Sequence, residues 1–203
     1  MIGIITGDVI HSKKVAPKVW LDALKTDLKK IGSSPKQWEI FRGDSFQAEV
    51  TNPLDALTIA IRIKAAIKSI KNVDVRMAIG IGDKTHSARK ISESNGSAFV
   101  FSGEKFESLK KEKQNLAIHS QWETFDQEMD LYLRLSLIVM DNWTTNAAET
   151  VKIALESPGK SQKQLGKKLG IKQNAVSTRL KRAAYDEIRA LNEMYKSKLK
   201  LLI

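Results

Sequence analysis

Residues 38–50 read Trp38-Glu39-Ile40-Phe41-Arg42-Gly43-Asp44-Ser45-Phe46-Gln47-Ala48-Glu49-Val50. Two β-prone stretches, 38–41 and 46–50, flank a turn whose first central residue is Gly43, which suits a type II′ hairpin with Asp44 at its tip. The pattern continues outward on both sides. Upstream, Trp20, Leu21, Leu24, Leu28 and Ile31 recur at helical spacing between Pro17 and Gly32, the start and stop residues that helices favour. Ahead of that helix, Ile2-Gly3-Ile4-Ile5 runs into Thr6-Gly7-Asp8, which places Asp8 at the C-terminal end of a buried strand, and His11-Ser12-Lys13-Lys14 reads as loop. Downstream, Asn52-Pro53 opens an amphipathic helix carrying Leu54, Leu57, Ala60, Ile61, Ile67 and Ile70. Residues 73–81 then alternate Val75, Met77, Ile79 and Ile81 with Arg76, Ala78 and Gly80, as a strand does. Residues 83–97 are polar and irregular, 102–113 predict an exposed helix and 116–118 a last strand. The order β-α-β-β-α-β-loop-α-β predicts an α+β fold of the ferredoxin-like group, a mostly antiparallel sheet with helices on one face.

The chain has 203 residues, 42% of them hydrophobic, enough for a real core and too many for global disorder. It has no cysteine, which excludes disulfides, thiolate metal sites and cysteine nucleophiles. His11, His86 and His119 are scattered without an i, i+4 pair, so no zinc site is expected. The N-terminus lacks a basic segment ahead of its apolar run, and the longest apolar run, 137–140, falls far short of the ~18–20 residues that span a bilayer. These features predict a soluble cytoplasmic protein with no membrane partner.

The net charge of +11 is unevenly placed. Residues 157–203 hold 12 Lys or Arg against Asp186, Glu187 and Glu193, a surplus of +9 that leaves only +2 for the rest of the chain. A basic module appended to a near-neutral domain is the electrostatic footprint of nucleic-acid binding. Residues 145–155 read as a helix, Ser157-Pro158-Gly159 breaks it, and Ser161 with Gln164 forms a capping box that restarts it. Gly170 then supplies a turn, and Leu165, Leu169, Ile171, Val176 and Leu180 are spaced to bury one small shared core, with Gly166 leaving room for close helix approach. This is a helix-turn-helix pattern. The second helix would present Lys172, Gln173, Asn174, Ser177, Thr178, Lys181 and Arg182 to the major groove of double-stranded DNA, Gln and Asn being the types that pair bidentately with adenine. Lys163, Lys167, Lys168, Lys172, Arg179 and Arg182 are phosphate-contact candidates. The apolar seam continues through Ala184, Ile188, Leu191, Tyr195 and Leu202, which predicts a single long helix of about 28 residues, ~42 Å. Such a seam needs a partner, either the N-terminal domain or a twin helix. Residues 125–143 predict a strongly apolar helix, with Leu131, Leu133, Leu137, Ile138 and Met140, that closes the domain or pairs two subunits.

Thr6-Gly7-Asp8-Val9-Ile10, Phe41-Arg42-Gly43-Asp44-Ser45-Phe46 and Val75-Arg76-Met77-Ala78-Ile79-Gly80-Ile81-Gly82 resemble, in order and spacing, the metal-binding strand, Gly-Asp hairpin and following strand of class III nucleotide cyclases. With the helix-turn-helix pattern at its end, the chain is most similar to the SatD-like bacterial family. The resemblance implies a cyclase-like domain over residues 1–122, a connecting or dimerisation helix over 123–143 and a helix-turn-helix domain over 144–203. It implies that Asp8 and Asp44 are metal ligands, holding Mg²⁺ or Mn²⁺ with a nucleotide. Ile40 stands where cyclases carry a base-selecting Lys or Glu, and Phe101 and Lys105 stand where the Asn and Arg that steady the transition state belong. No catalytic residues are therefore assigned. The expectation is a homodimeric DNA-binding transcriptional regulator with a degenerate, ligand-sensing or dimerising cyclase-like domain; the alternative is a metal-dependent nucleotide-processing enzyme using Asp8 and Asp44.

Overall fold

A computed structural model describes residues 1–41 and 43–203. Arg42, quoted above in the hairpin turn, lies outside the described residues, so the type II′ expectation is only partly covered. Five strands, β1 (Ile2–Ile10), β2 (Trp38–Phe41), β3 (Ser45–Val50), β4 (Asp74–Gly82) and β5 (Leu116–His119), form one sheet in the order β2-β3-β1-β4-β5. All neighbours are antiparallel except β4 and β5. Eight α-helices accompany it among the described residues: α1 (Pro17–Leu28), α2 (Ala56–Lys68), α3 (Ser97–Glu112), α4 (Glu123–Met140), α5 (Thr145–Leu155), α6 (Gln162–Leu169), α7 (Gln173–Arg182) and α8 (Tyr185–Lys200). The fold is α+β with a mostly antiparallel sheet. None of these helices is long and apolar enough to cross a membrane.

The helices lie on both faces of the sheet, not on one. Along the central strand β1 the side chains alternate: Ile5 and Val9 enter the large core with Trp20, Leu24 and Leu28 of α1 and Ile61 of α2, whereas Ile4 packs with Ala98 and Phe99 of α3. The expected exposed helix at 102–113 begins earlier, at Ser97, and is half inside, with Ser102 and Leu109 fully buried. The reason lies in β4. A Cβ on Gly80 would run into Ala98 O and Ser102 N of α3, and one on Gly82 would meet Ser97 and Ala98. The Ala78-x-Gly80-x-Gly82 row is thus a flat seat that lets a helix backbone approach the sheet, and it only imitates the polar half of an alternating strand.

On the other face α2 is packed twice, against the sheet and against α5. The same buried cluster runs from Ile79 and Ile81 through Leu57 and Ile61 to Val151, Leu165, Val176, Ile188 and Tyr195. Burying one such aliphatic side chain is worth roughly 1.5–3 kcal/mol.

The long C-terminal helix expected from the continuous seam is two helices. α7 ends at Arg182, Ala184 takes a left-handed backbone (φ +50°), and α8 starts at Tyr185. The indole N–H of Trp143 donates to Ala183 O at 3.0 Å, occupying a carbonyl released at the break. After the break the seam folds back on the same chain: Ile188, Leu191, Tyr195 and Leu199 are buried, while Leu202 is exposed. Tyr195 Oη donates to Pro53 O at 2.6 Å and Thr58 Oγ1 to Asn192 Oδ1 at 3.0 Å, so the seam's partner is the N-terminal part of its own chain.

Candidate functional site

The basic surface of this part is carried by α6 and α7, which pack on α5. Ser161 caps α6 through a complete capping box with Gln164, and Gly170 ends the helix in the left-handed region (φ +66°). Gly166 is buried with its Cα against the next turn: a Cβ there would stand 2.6 Å from Ile171 O and 3.6 Å from Val176 Cγ2. Val176 and Leu180 of α7 are buried with Leu165 of α6 and Val151 and Ala154 of α5 in the main core.

The exposed surface of α7 and its N-cap carries the seven residues singled out as DNA-facing. Lys172, Gln173, Asn174, Ser177, Thr178, Lys181 and Arg182 are all exposed. At 100° per residue, Asn174, Thr178, Lys181 and Arg182 stand about 80–180° round the helix from Gln173, on the side away from Val176, Leu180 and Ala183, while Gln173 and Ser177 lie at the edge of that face beside Leu180. Among the described residues the only hydrogen bond from any of these side chains is the local one from Thr178 Oγ1 to Asn174 O, 2.9 Å. Two of the phosphate-contact candidates are engaged elsewhere: Lys168 Nζ donates to Ser157 Oγ at 2.7 Å, and Arg179 lies 3.7 Å from Glu149.

The second site is a cleft at the end of β1, lined by Asp8, the 9–14 segment, Asp44, Arg76 and Lys110. The sheet register sets Asp8 beside Ser45 on one flank and beside Arg76 on the other. Asp8 and Asp44 are therefore brought to one cleft. Each is already held by a neighbour. Arg76 grips Asp8 bidentately, Nε to Oδ1 at 3.1 Å and Nη2 to Oδ2 at 2.7 Å, while its guanidinium lies 5.5 Å from the Phe106 ring centroid. Ser12 Oγ donates to Asp44 Oδ2 at 2.6 Å. Burial raises the Asp8 pKa more than Arg76 lowers it, and Asp44 adds to the rise.

That donor set does not suit a resident divalent cation. Arg76 occupies both oxygens of Asp8, and the described residues contain no group of three or more His, Asp or Glu able to hold a metal. A cation would have to displace a two-point, charge-assisted pair. Arg76 and Phe106 were missed at the level of sequence, although an acid and a base directly opposite on adjacent strands are a readable cross-strand pair.

A third cluster was not foreseen at all. Lys64, inside the apolar run of α2, is fully buried, with Nζ 3.0 Å from Asp74 Oδ1 and 2.6 Å from Asp141 Oδ1. Lys68 Nζ donates to Asp141 O at 2.6 Å and lies 3.4 Å from Asp74 Oδ2, and Asn115 Nδ2 donates to Asp141 Oδ2 at 3.0 Å. The cluster ties α2, the start of β4 and the α4–α5 junction together.

These features define an α+β protein whose largest core joins a mostly antiparallel sheet to a basic helical C-terminal part. The family model described as the SatD family matches residues 1–190, and the chain belongs to the SatD family. No curated protein and no solved structure matches it.

Proposed function

We propose that this SatD-family protein is a DNA-binding transcriptional regulator, in which α6 and α7 are a helix-turn-helix, α7 is the recognition helix and the sheet domain is a cyclase-like fold that senses a nucleotide. The observation that carries this reading is the exposed row of α7. Seven polar or basic side chains face solvent with a single local bond among them, while the reverse side of the same short helix is anchored in the core. A merely solvated helix has no need of an Asn, a Gln and two hydroxyls at the N-terminal turns of a helix held by a Gly turn. Those are the groups and the end that read base edges in a major groove. For the sheet domain the support is the pairing of Asp8 and Asp44 in one cleft rimmed by Arg76, Lys110 and Lys14, which favours the phosphate charge of a nucleotide.

The test is binding to a randomised duplex library followed by salt titration. Each neutralised phosphate adds about 0.9 to the slope of log K against log salt. Lys172→Ala is expected to weaken binding uniformly and lower that slope by about one. Asn174→Ala is expected to cost about 1–3 kcal/mol at its own base pair and relax preference there. Absence of duplex binding at 50 mM salt, or an unchanged preference in Asn174→Ala, refutes the DNA reading. A nucleotide panel with and without Mg²⁺ or Mn²⁺, read as a shift in melting temperature, tests the sensing cleft separately.

A further inference from the structure

Behind α6 and α7 the chain leaves a cavity of about 550 Å³ that neither the exposed row of α7 nor the Asp8 cleft uses. One wall is the connection 157–161 between α5 and α6, and the other is α8 from Tyr185 to Lys196. Leu155, Leu165 and Leu180 supply its apolar bed. Small-molecule sites have this size, roughly 300–1,000 Å³, and this make-up, an apolar lining with a few convergent polar groups.

The polar groups converge from α8. Tyr185, Arg189, Asn192 and Lys196 stand at i, i+4, i+7 and i+11, one face of the helix, and all four line the cavity. Asn192 is only 8% exposed, and its Oδ1 accepts from Thr58 Oγ1 at 3.0 Å. The other end of the amide, Nδ2, has no acceptor among the described residues, so a buried donor is aimed into the cavity unpaired. Buried polar groups in folded chains are almost all paired, which makes this one a mark of what the space receives. Arg189 lies over the Tyr185 ring, 5.9 Å from its centroid, with no carboxylate partner among the described residues, and Lys160 on the opposite wall has none either. Burial pushes the Tyr185 phenol above its ordinary range more strongly than Arg189 lowers it, so the hydroxyl stays protonated and donates. Of the two acids in the lining, Glu193 is held by Lys196 at 3.1 Å. Asp186 alone stands against the two unpaired cations, which leaves the lining a surplus of positive charge.

We propose that this cavity binds a small organic acid, its carboxylate on Arg189 and the Asn192 amide and its apolar body on Leu155, Leu165 and Leu180. Arginine meets a carboxylate at two points, and Asn192, three residues on, adds a donor from the same helix face. The set is wrong for a cation, which the surplus charge repels. It is wrong for a neutral apolar molecule, which leaves the Asn192 donor unpaired. A bare inorganic anion satisfies the donors but leaves the leucines wet. Leu165 and Leu180 belong to α6 and α7, so the ligand sits against the back of the two helices that the DNA-binding proposal uses. The binding itself does not rest on that proposal.

Titration of the full chain tests it, with naphthoate and octanoate as probes and the Asn192 side-chain amide resonance as reporter. At least one of the two acids is expected to move that resonance saturably, with a dissociation constant at or below about 1 mM. Naphthamide, the same flat body without the charge, is expected not to saturate it. Arg189→Gln is expected to weaken binding about tenfold with an unchanged melting curve, since Arg189 is exposed. Lys163→Gln removes the same charge from α6 outside the cavity and is expected to leave the affinity unchanged. No saturable movement with either acid, equal affinity for naphthamide or for inorganic phosphate, or an equal loss in Lys163→Gln overturns the proposal. Each result is read without DNA, so failure of the regulator reading leaves it standing.

Discussion

Lys64→Met should be the most destabilising isosteric change in the molecule. The lysine side chain is 0% exposed, and the carboxylates it serves, Asp74 and Asp141, are 15% and 31% exposed. Methionine fills the same volume, so no cavity forms, and the loss is electrostatic. Removing one member of a buried ion pair costs about 3–5 kcal/mol, mainly because the remaining charge stays buried without its counter-charge. Here the lower end applies. Asp74 keeps Lys68 at 3.4 Å and the Val75 N–H at 2.7 Å, and Asp141 keeps the Asn115 amide. What is stranded is Asp141 Oδ1, a buried atom with no hydrogen-bond donor. A loss of about 3 kcal/mol in a chain of this size lowers the melting temperature by roughly 6–12 °C. The double variant Lys64→Met with Asp141→Asn removes the stranded charge and should recover at least about 1 kcal/mol, a coupling measurable by a double-mutant cycle in urea. If Lys64→Met costs less than about 1 kcal/mol, or the two substitutions add, the lysine is not neutralising that carboxylate and the reasoning fails.

Two glycines separate sterics from backbone strain within the α6–α7 unit. Gly166→Ala drives a Cβ to 2.6 Å from Ile171 O and should lose more than about 2 kcal/mol together with any DNA binding. Gly170→Ala meets nothing within 4 Å but must hold φ +66°, and should cost only about 1 kcal/mol; denaturant melts giving the reverse order would refute the packing described. Burial raises the Asp126 pKa in the folded state despite the bonds from Ser120 N–H (2.8 Å) and Ser120 Oγ (2.7 Å). The native state therefore holds the proton longer than the unfolded one, and stability falls as pH rises from about 4 through the raised pKa. Asp126→Asn has no such titration, so its stability relative to wild type should improve over that window, and a pH-independent difference would show that burial does not dominate.

Much of the sheet domain was legible because its signals are local. The hairpin at 38–50, the Pro17 start and the alternation in 73–81 each need only neighbouring residues, and every strand starts within one residue of its expected place. The capping box and the left-handed Gly170 were equally readable, since a cap is a property of four residues. Functional candidates that depend on register were only half legible. Asp8 and Asp44 do meet in one cleft, but the guanidinium that occupies Asp8 comes from Arg76, 68 residues away in sequence, and only the β1–β4 pairing puts it there. Lys64 was hidden by its company, because one charge among Ile61, Ile63, Ala65 and Ile67 reads as the wet edge of a helix until a second carboxylate arrives from Asp141.

The failure at Ala183-Ala184 has a different cause. Periodicity reports which face of a helix is apolar and is silent on whether the helix continues, because a seam at steps of three or four residues fits one straight rod or two rods packed against a common core. Alanine, the best helix former, sits at both residues of the break, so propensity argues for continuity. What decides against it is burial available only after the turn. A straight continuation would carry Ile188, Leu191, Tyr195 and Leu199 away from α2 and α4, exposing four side chains worth roughly 1.5–3 kcal/mol each. One alanine in the left-handed region costs about 1–2 kcal/mol, and the Trp143 indole satisfies the carbonyl freed there. The balance favours the break several-fold over the rod. The consequence bears on the proposed function: α7 has ten residues and is backed by α8, so under the DNA-binding proposal its exposed face would be presented at an angle fixed by the rest of the core rather than at the end of a free lever.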